Sequence, residues 1–272
     1  MKKISLNQNC QIPILGFGTW QLKDKEGRSA IEKALEVGYR HIDTADIYGN
    51  HKEVGKSIQV SNIDRGDIFL TSKIWHSDLE SQQIIDNTKR FLEELQTEYL
   101  DLLLIHWPNK DIEIAESLEA MNKLKDDGLI KSVGVSNFTI KHLKEALETG
   151  FDFSNNQVEF HPSLYQPELK QFCEENDIVM TAYSPIGQGQ DLDLPIIQEM
   201  AEKYNKPECQ VILNWIIQKD IVAIPRSSNP QHIQENFGAT DWILKPEDIK
   251  KVNNKAAKNN RIINPSIAEF DY

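Results

Sequence analysis

Eight short apolar runs, each followed by a longer stretch of helical periodicity, constrain this chain more than any other feature. The runs lie at 14–19, 39–43, 68–72, 101–105, 132–135, 157–160, 178–182 and 221–224. Each is too short for a helix, and most are rich in β-branched residues or Leu, so they read as buried strands. The run at 39–43 is the least apolar and is read as a strand partly from its place in the alternation. Between the runs lie apolar stripes: Ala30, Ile31, Ala34 and Leu35; Ile84, Ile85, Thr88, Phe91, Leu92 and Leu95; Ile114, Leu118, Met121 and Leu124; Leu143, Ala146 and Leu147. Leu169, Phe172 and Cys173 follow, then Ile196, Ile197, Met200 and Ala201, then Val211, Ile212, Trp215 and Ile216. Recurrence at i, i+3 and i+4 buries one face of a helix. Gly38, Gly128 and Gly150 close three of these stretches, as helix C-caps do.

About eight strand–helix units in 272 residues, with no linker between them, predict an α/β fold: one (β/α)8 TIM barrel, a single domain over 1–272. Ahead of the first unit, residues 4–6 and 10–12 flank Asn7-Gln8-Asn9 and predict a β-hairpin that closes the bottom of the barrel. The competing architecture is an open doubly wound sheet. Its dinucleotide-binding form needs a Gly-rich turn between first strand and helix. Gly16-Phe17-Gly18 lacks the third Gly and runs into Thr19-Trp20, not into a helix.

Composition narrows the partners. With 42 acidic against 30 basic side chains, the net charge of -12 argues against a nucleic-acid surface or an anionic membrane as partner. No run reaches the roughly 18 apolar residues of a membrane span. The first nine residues lack the apolar core of a secretory leader. Cys10, Cys173 and Cys209 are scattered without a CxxC pair, so reduced thiols in a cytoplasmic protein are expected, not disulfides or a zinc site.

In such a barrel the chemistry sits at the C-terminal ends of the strands. Here those ends carry Asp43 with Tyr48 beyond it, Lys73, His106, Ser136-Asn137, Gln157 with Glu159, Tyr183-Ser184 and Arg226-Ser227. Singly, each has an ordinary reading as a cap, turn or core residue. Together, an acid, a lysine and a histidine at three successive strand ends, with a tyrosine nearby, form a proton-transfer site. Tyr48 is the donor, its pKa expected to be lowered by the Lys73 ammonium, and Asp43 holds that ammonium in place. His106 can hydrogen-bond a substrate oxygen. The set suits protonation of a carbonyl oxygen that gains negative charge. A glycosidase would want two facing carboxylates, for which only Asp43 and Glu159 are obvious candidates. No His pair or carboxylate cluster has metal-ligand spacing, so no metal is expected. Ser136, Asn137 and Gln157 can bind an amide, Tyr183 offers a ring for stacking, Gly187-Gln188-Gly189 gives backbone access for a pyrophosphate, and Arg226-Ser227 suits a phosphate.

The motifs run in order. They are GFGTWQL at 16–22, GYRHIDTADIYGN at 38–50, LTSKIW at 70–75, LLLIHWP at 102–108, IKSVGVSNF at 130–138, NQVEFHP at 156–162, AYSPIGQG at 182–189 and IPRSSNPQHIQEN at 224–236. From about Ile12 to Asn236 the chain resembles the aldo-keto reductases, and within them the bacterial-type branch of 2,5-diketo-D-gluconate and methylglyoxal reductases. The resemblance implies NADPH-dependent reduction of small aldehydes, 2-oxoaldehydes or keto sugars, an oxidoreductase acting on CH–OH groups. It implies a catalytic set of Tyr48, Asp43, Lys73 and His106, with Tyr48 as general acid. It places Ser136, Asn137 and Gln157 on the carboxamide and Tyr183 on the nicotinamide. Ser184, Pro185, Ile186, Gly187 and Gln188 would follow the pyrophosphate. Arg226, Ser227 and His232 would surround the 2′-phosphate, and Glu235 and Asn236 would reach the adenine. Trp20, Trp75 and Trp107, with His106, would line the substrate pocket. A monomer is expected, and the same resemblance allows a non-catalytic member that binds NADPH as a sensor or structural subunit.

Three residues depart from the pattern. His51 stands where the family usually has Glu, Arg226 where Lys is common, and His232 where Arg is usual. A histidine is a weaker phosphate partner than an always-charged arginine. NADPH is therefore expected to be preferred through Arg226 and Ser227, with NADH used at lower efficiency. The segment after Val252 is short, which implies an open pocket and broad specificity.

Overall fold

The computed structural model describes residues 1–256, 259–268 and 270. Strands β1 (Lys3–Asn7) and β2 (Cys10–Pro13) pair antiparallel as the expected hairpin. It lies across the bottom of the molecule. Asn7 Nδ2 donates to Lys131 O at 3.2 Å, just before one barrel strand, and Cys10 Sγ to Asp101 O at 3.6 Å, just before another.

Eight parallel strands follow: β3 (Phe17–Gly18), β4 (His41–Asp43), β5 (Phe69–Ile74), β6 (Leu102–Ile105), β7 (Val133–Ser136), β8 (Asn155–Glu159), β9 (Val179–Tyr183) and β10 (Val222–Ala223). Each pairs with the next in sequence. The sheet closes on itself. Gly16 N donates to Ala223 O at 2.8 Å, Ala223 N to Ile14 O at 2.9 Å and Gly18 N to Pro225 O at 3.0 Å. The eight apolar runs are these strands, and the barrel is the predicted one. The boundaries differ from the runs by up to three residues, and at β8 the shift has a physical reason. β8 begins at Asn155, two residues before its apolar run, because its first side chains find polar partners inside the wall. Asn155 Nδ2 donates to Thr181 Oγ1 at 2.9 Å and Asn156 Nδ2 to Phe138 O at 3.0 Å.

The helices are α1 (Asp24–Val37), α2 (His51–Val60), α3 (Ser81–Leu95), α4 (Ile114–Asp126), α5 (Ile140–Glu148), α6 (Pro167–Glu175), α7 (Pro195–Tyr204), α8 (Glu208–Ile217), α9 (Pro230–Phe237) and α10 (Pro246–Ala256). The predicted stripes are largely their buried faces, as in α3, where Ile84, Thr88, Phe91, Leu92 and Leu95 turn inward; Leu147 of the α5 stripe is instead exposed, its place on the inner face taken by His142. α2, α9 and α10 were not among the stripes, because small and polar residues fill part of their inner faces. In α10 one of these is Asp248, which is buried. Its Oδ2 accepts from Lys203 Nζ at 2.6 Å and Tyr204 Oη at 2.5 Å, tying α10 to the end of α7.

Those hydrogen bonds hold the Asp248 carboxyl down at about 2. A folded-state value below the unfolded one stabilises the fold above about pH 4 and loses that contribution as pH falls towards 2. Asp248→Asn is therefore expected to lower the urea midpoint at pH 7. The gap to the parent should narrow progressively between about pH 4 and pH 2. A gap that does not change with pH would show that the pair contributes nothing through its charge.

Candidate active site

Alternation along a strand sends every second side chain to the same face. In β4 and β5 this turns Asp43 and Lys73 into the barrel mouth. Lys73 is fully buried and makes three hydrogen bonds: to Asp43 Oδ1 at 2.6 Å, to the Thr44 carbonyl at 2.8 Å and to Tyr48 Oη at 3.4 Å. Three acceptors match the three N–H groups of an ammonium; a neutral amine has only two. Burial pulls the Lys73 pKa below its ordinary value, and Asp43 opposes that pull. The second oxygen of Asp43 accepts from Gln157 Nε2 at 2.7 Å.

Tyr48 ends a short 3-10 turn, Asp46–Tyr48, just beyond β4. Its hydroxyl oxygen accepts from Lys73, which leaves its own proton for another acceptor. The phenol does not have the lowered pKa expected from the ammonium. Burial pushes it well above its ordinary value, and the Asp43 carboxylate adds to this. At 3.4 Å the ammonium does not outweigh those two effects. His106 follows β6, with its ring edge-on to Tyr48 at 5.8 Å and to Trp75 at 5.2 Å. Burial, with the charge of Lys73, holds the His106 pKa well below its ordinary value, so the imidazole is neutral.

The ends of β7, β8 and β9 come together as expected, but their polar groups largely bind one another. Ser136 Oγ donates to the Gln157 carbonyl at 2.7 Å. Asn137, in the left-handed region with φ 63°, donates from Nδ2 to the His106 carbonyl at 2.9 Å and to Ser136 Oγ at 3.1 Å. Its Oδ1 accepts from Tyr183 Oη at 2.8 Å, which fixes the half-buried Tyr183 ring at the rim. The Gln157 amide nitrogen is committed to Asp43, so one side chain joins the two halves of the mouth.

Ser184, Pro185, Ile186, Gly187 and Gln188 form the loop after β9. Gly187 has φ 57°, and a Cβ there would meet the Asp191 carboxylate at 2.9 Å, so the loop needs glycine twice over. Asp191 anchors the loop in a buried network that the sequence reading missed. It meets His161 Nδ1 at 2.9 Å and accepts from Ser163 N at 2.8 Å and Ser163 Oγ at 2.5 Å. His161 Nε2 lies 3.0 Å from Glu159 Oε1. Burial opposes the charged imidazole, but the bonds to Asp191 and Glu159 outweigh it and hold the His161 pKa above its ordinary value. Glu159 also accepts from Ile262 N at 2.7 Å and Ile263 N at 2.8 Å, which docks the tail. With its oxygens so engaged, Glu159 is a clamp and not a partner for Asp43 across the mouth. The available signal was local: His161 stands two residues after Glu159 in NQVEFHP.

Arg226 is exposed beyond β10, and its Nε donates to the Trp20 carbonyl at 3.1 Å across the rim. Ser227 Oγ accepts from Asn229 N at 3.0 Å, and the Asn229 side chain caps α9 by accepting from Gln231 N at 2.9 Å. His232 is exposed on α9, Glu235 is half-buried there and Asn236 is buried. Trp20 is 44% exposed and Trp75 half-buried, whereas Trp107 is 4% exposed. The Phe270 ring lies edge-on to Trp107 at 5.9 Å, with the Arg261 guanidinium 3.8 Å above Phe270. The short tail thus covers the Trp107 wall, which the expectation of an open pocket did not include, while the Trp20 side stays exposed. Residues 269, 271 and 272 of that tail lie outside the described residues.

The sequence profile of the Aldo/keto reductase family matches residues 14–257. A glyoxal reductase of Bacillus subtilis (strain 168) is 40% identical over 251 residues, 92% of this chain and 91% of that one. A methylglyoxal reductase of Yersinia pestis is 39% identical over 250 residues, 90% of each. A crystal structure of an aldo/keto reductase from Brucella melitensis superposes with a TM-score of 0.89 at 42% identity, covering 93% of this chain and 98% of that one. Barrel, motif order and relatives agree, and the chain belongs to the aldo/keto reductase family of oxidoreductases.

Proposed function

We propose that this chain, acting as a single-domain monomer in the cytoplasm, reduces aldehydes and ketones to alcohols with NADPH, small aldehydes, 2-oxoaldehydes and keto sugars being the substrate class. One observation carries the reading: Lys73 gives its three N–H groups to Asp43, Thr44 and Tyr48, so the Tyr48 proton is left for a substrate oxygen. The substrate class also rests on the glyoxal and methylglyoxal reductases among the relatives. The free cysteines suit a reducing compartment.

NADPH supplies a hydride at its nicotinamide ring when bound. The residues of the rim fit that group in chemistry: a fixed tyrosine ring at Tyr183, hydroxyl and amide groups at Ser136, Asn137 and Gln157, and a glycine-bearing loop. The exposed Arg226 with Ser227 ahead of α9 fits a phosphate. Neutral His106 orients the carbonyl oxygen without competing as a proton donor. As the carbonyl oxygen gains negative charge, Tyr48 would give its proton to it. The Lys73 ammonium, held by Asp43, then faces the phenolate that remains.

The test is a carbonyl panel assayed in parallel with NADPH and NADH. Wild-type protein is expected to favour NADPH. Arg226→Ala is expected to raise the KM for NADPH roughly tenfold to a hundredfold and to leave that for NADH nearly unchanged, the scale of one lost charged hydrogen bond. His232→Arg is expected to widen the preference. Equal catalytic efficiency of the wild type with both cofactors would overturn the preference.

A further inference from the structure

The turn that carries Tyr48 is tied to the strand that carries Lys73 by a chain of side chains running outside the barrel wall. Asp46, in that turn, accepts from Arg90 Nη2 at 2.8 Å. Arg90 Nη1 pairs with Glu94 Oε1 one turn along α3 at 3.5 Å. Glu94 Oε2 lies 3.1 Å from His51 Nδ1, and His51 Nε2 lies 2.9 Å from Ser72 Oγ. Ser72 directly precedes Lys73. Strand alternation turns Ser72 towards the helices and Lys73 into the barrel. The contacts close a circuit: from the Tyr48 turn through α3, the first residue of α2 and β5, and back through Lys73 Nζ to Tyr48 Oη.

His51 is the link with the least freedom. It is 3% exposed, and its ring packs edge-on against Phe91 at 4.7 Å. A carboxylate only accepts, so Nδ1 carries the hydrogen and donates to Glu94, and Nε2 accepts from the Ser72 hydroxyl. One imidazole thus bridges two partners on opposite sides. An Asn or Gln amide can copy either contact but not both. Lys73 to Tyr48 is the longest of the three Lys73 contacts, so a small shift of the turn breaks it first. The other side of the turn has a separate anchor. Asn50 Nδ2 donates to the Thr19 and Leu22 carbonyls, both at 2.9 Å, and Asn50 Oδ1 accepts from Thr44 Oγ1 at 2.7 Å. Loss of the His51 link leaves the turn held by Asn50 and by the Asp46–Arg90 pair, with no tie from either to the strand of Lys73.

We propose that His51 is a positioning residue, which through Glu94, Arg90 and Ser72 sets the distance between the Tyr48 hydroxyl and the Lys73 ammonium. This rests on the reductase reading, because the distance has a catalytic consequence only if Tyr48 gives up its proton beside Lys73. A carboxylate at position 51 would remove the donor to Glu94 and set two like charges against each other. His51→Glu is therefore expected to lower kcat by roughly tenfold to a hundredfold, the scale of a displaced catalytic group. KM for the carbonyl and Kd for NADPH should stay within about threefold. Adding Glu94→Gln restores a donor facing the new carboxylate, and the double variant should recover most of the lost kcat.

Amide hydrogen exchange on the same proteins reads the tie without needing catalysis. Faster exchange confined to residues 45–51, with β7 unchanged, supports it. Glu94→Gln alone, which keeps the shape and loses the charge, provides the measurement should His51→Glu fail to fold, and it should give the same pattern with a smaller loss. A kcat within threefold of the parent, no recovery in the double variant, or exchange raised throughout the barrel would each overturn the proposal. A wild type that reduces no carbonyl sinks the reductase reading instead; the exchange pattern then still decides whether His51 holds the turn.

Discussion

Tyr48→Phe is expected to keep its fold and its affinity for NADPH and to lose roughly a hundredfold to ten-thousandfold in kcat, the range of a removed general acid. The substitution deletes one oxygen. The ring keeps its edge contact with His106, and Lys73 keeps its bonds to Asp43 and Thr44. What disappears is the only acceptor of Lys73 that also carries a transferable proton. Burial and Asp43 hold the phenol protonated across the neutral range, so the parent always has that proton to give. The neutral imidazole of His106 offers another N–H, but it is a far weaker acid than a phenol. Steady-state rates on a 2-oxoaldehyde, with cofactor affinity followed by fluorescence, check this. Retention of more than about a tenth of the parent kcat would remove Tyr48 from the role of general acid.

The architecture was legible because burial in a parallel sheet leaves a coarse mark. Strands covered on both faces become apolar runs, and eight of them with helical stripes between them leave few alternatives. β8 shows where that signal weakens. Asn155 and Asn156 are as buried as any Leu, yet hydropathy does not extend the strand to them, because each is a polar residue whose amide nitrogen finds its acceptor distant in sequence. The catalytic set was legible as residue types at strand ends. Its wiring was not. Gln157 reaches Asp43 across 114 positions only because the barrel closes, and no spacing rule contains that contact. The same holds for the clamp of Glu159, His161 and Asp191 on the loop and tail, and for the bridge of His51 to Glu94 and Ser72. The pKa of Tyr48 was misjudged in sign because a list of residue types shows the ammonium and the carboxylate but not the burial that outranks them.

Lys73→Met is expected to damage both activity and stability, and a second substitution should separate the two. Methionine fills nearly the volume of the lysine stem, so packing changes little. The charge does change. Asp43, 1% exposed, would keep only the amide of Gln157 against its carboxylate and would lose the ammonium at 2.6 Å. Breaking a buried ion pair by removing one partner destabilises a protein by about 3–5 kcal/mol, because an uncompensated charge remains inside. In a chain of this size that corresponds to a fall in melting temperature of roughly 10 °C. The double variant Lys73→Met with Asp43→Asn removes the charge as well and should recover most of the stability. It should recover none of the activity, since no ammonium then faces the developing phenolate. Thermal melts and rates on the three proteins test both halves. A single variant as stable as the parent would mean that Lys73 and Asp43 face each other as a neutral pair. A double variant with restored turnover would mean that Tyr48 needs no cation beside it. Placed next to Tyr48→Phe, which removes the chemistry and leaves the fold, the pair of results distinguishes a lysine that serves the proton donor from one that serves only the packing of the barrel mouth.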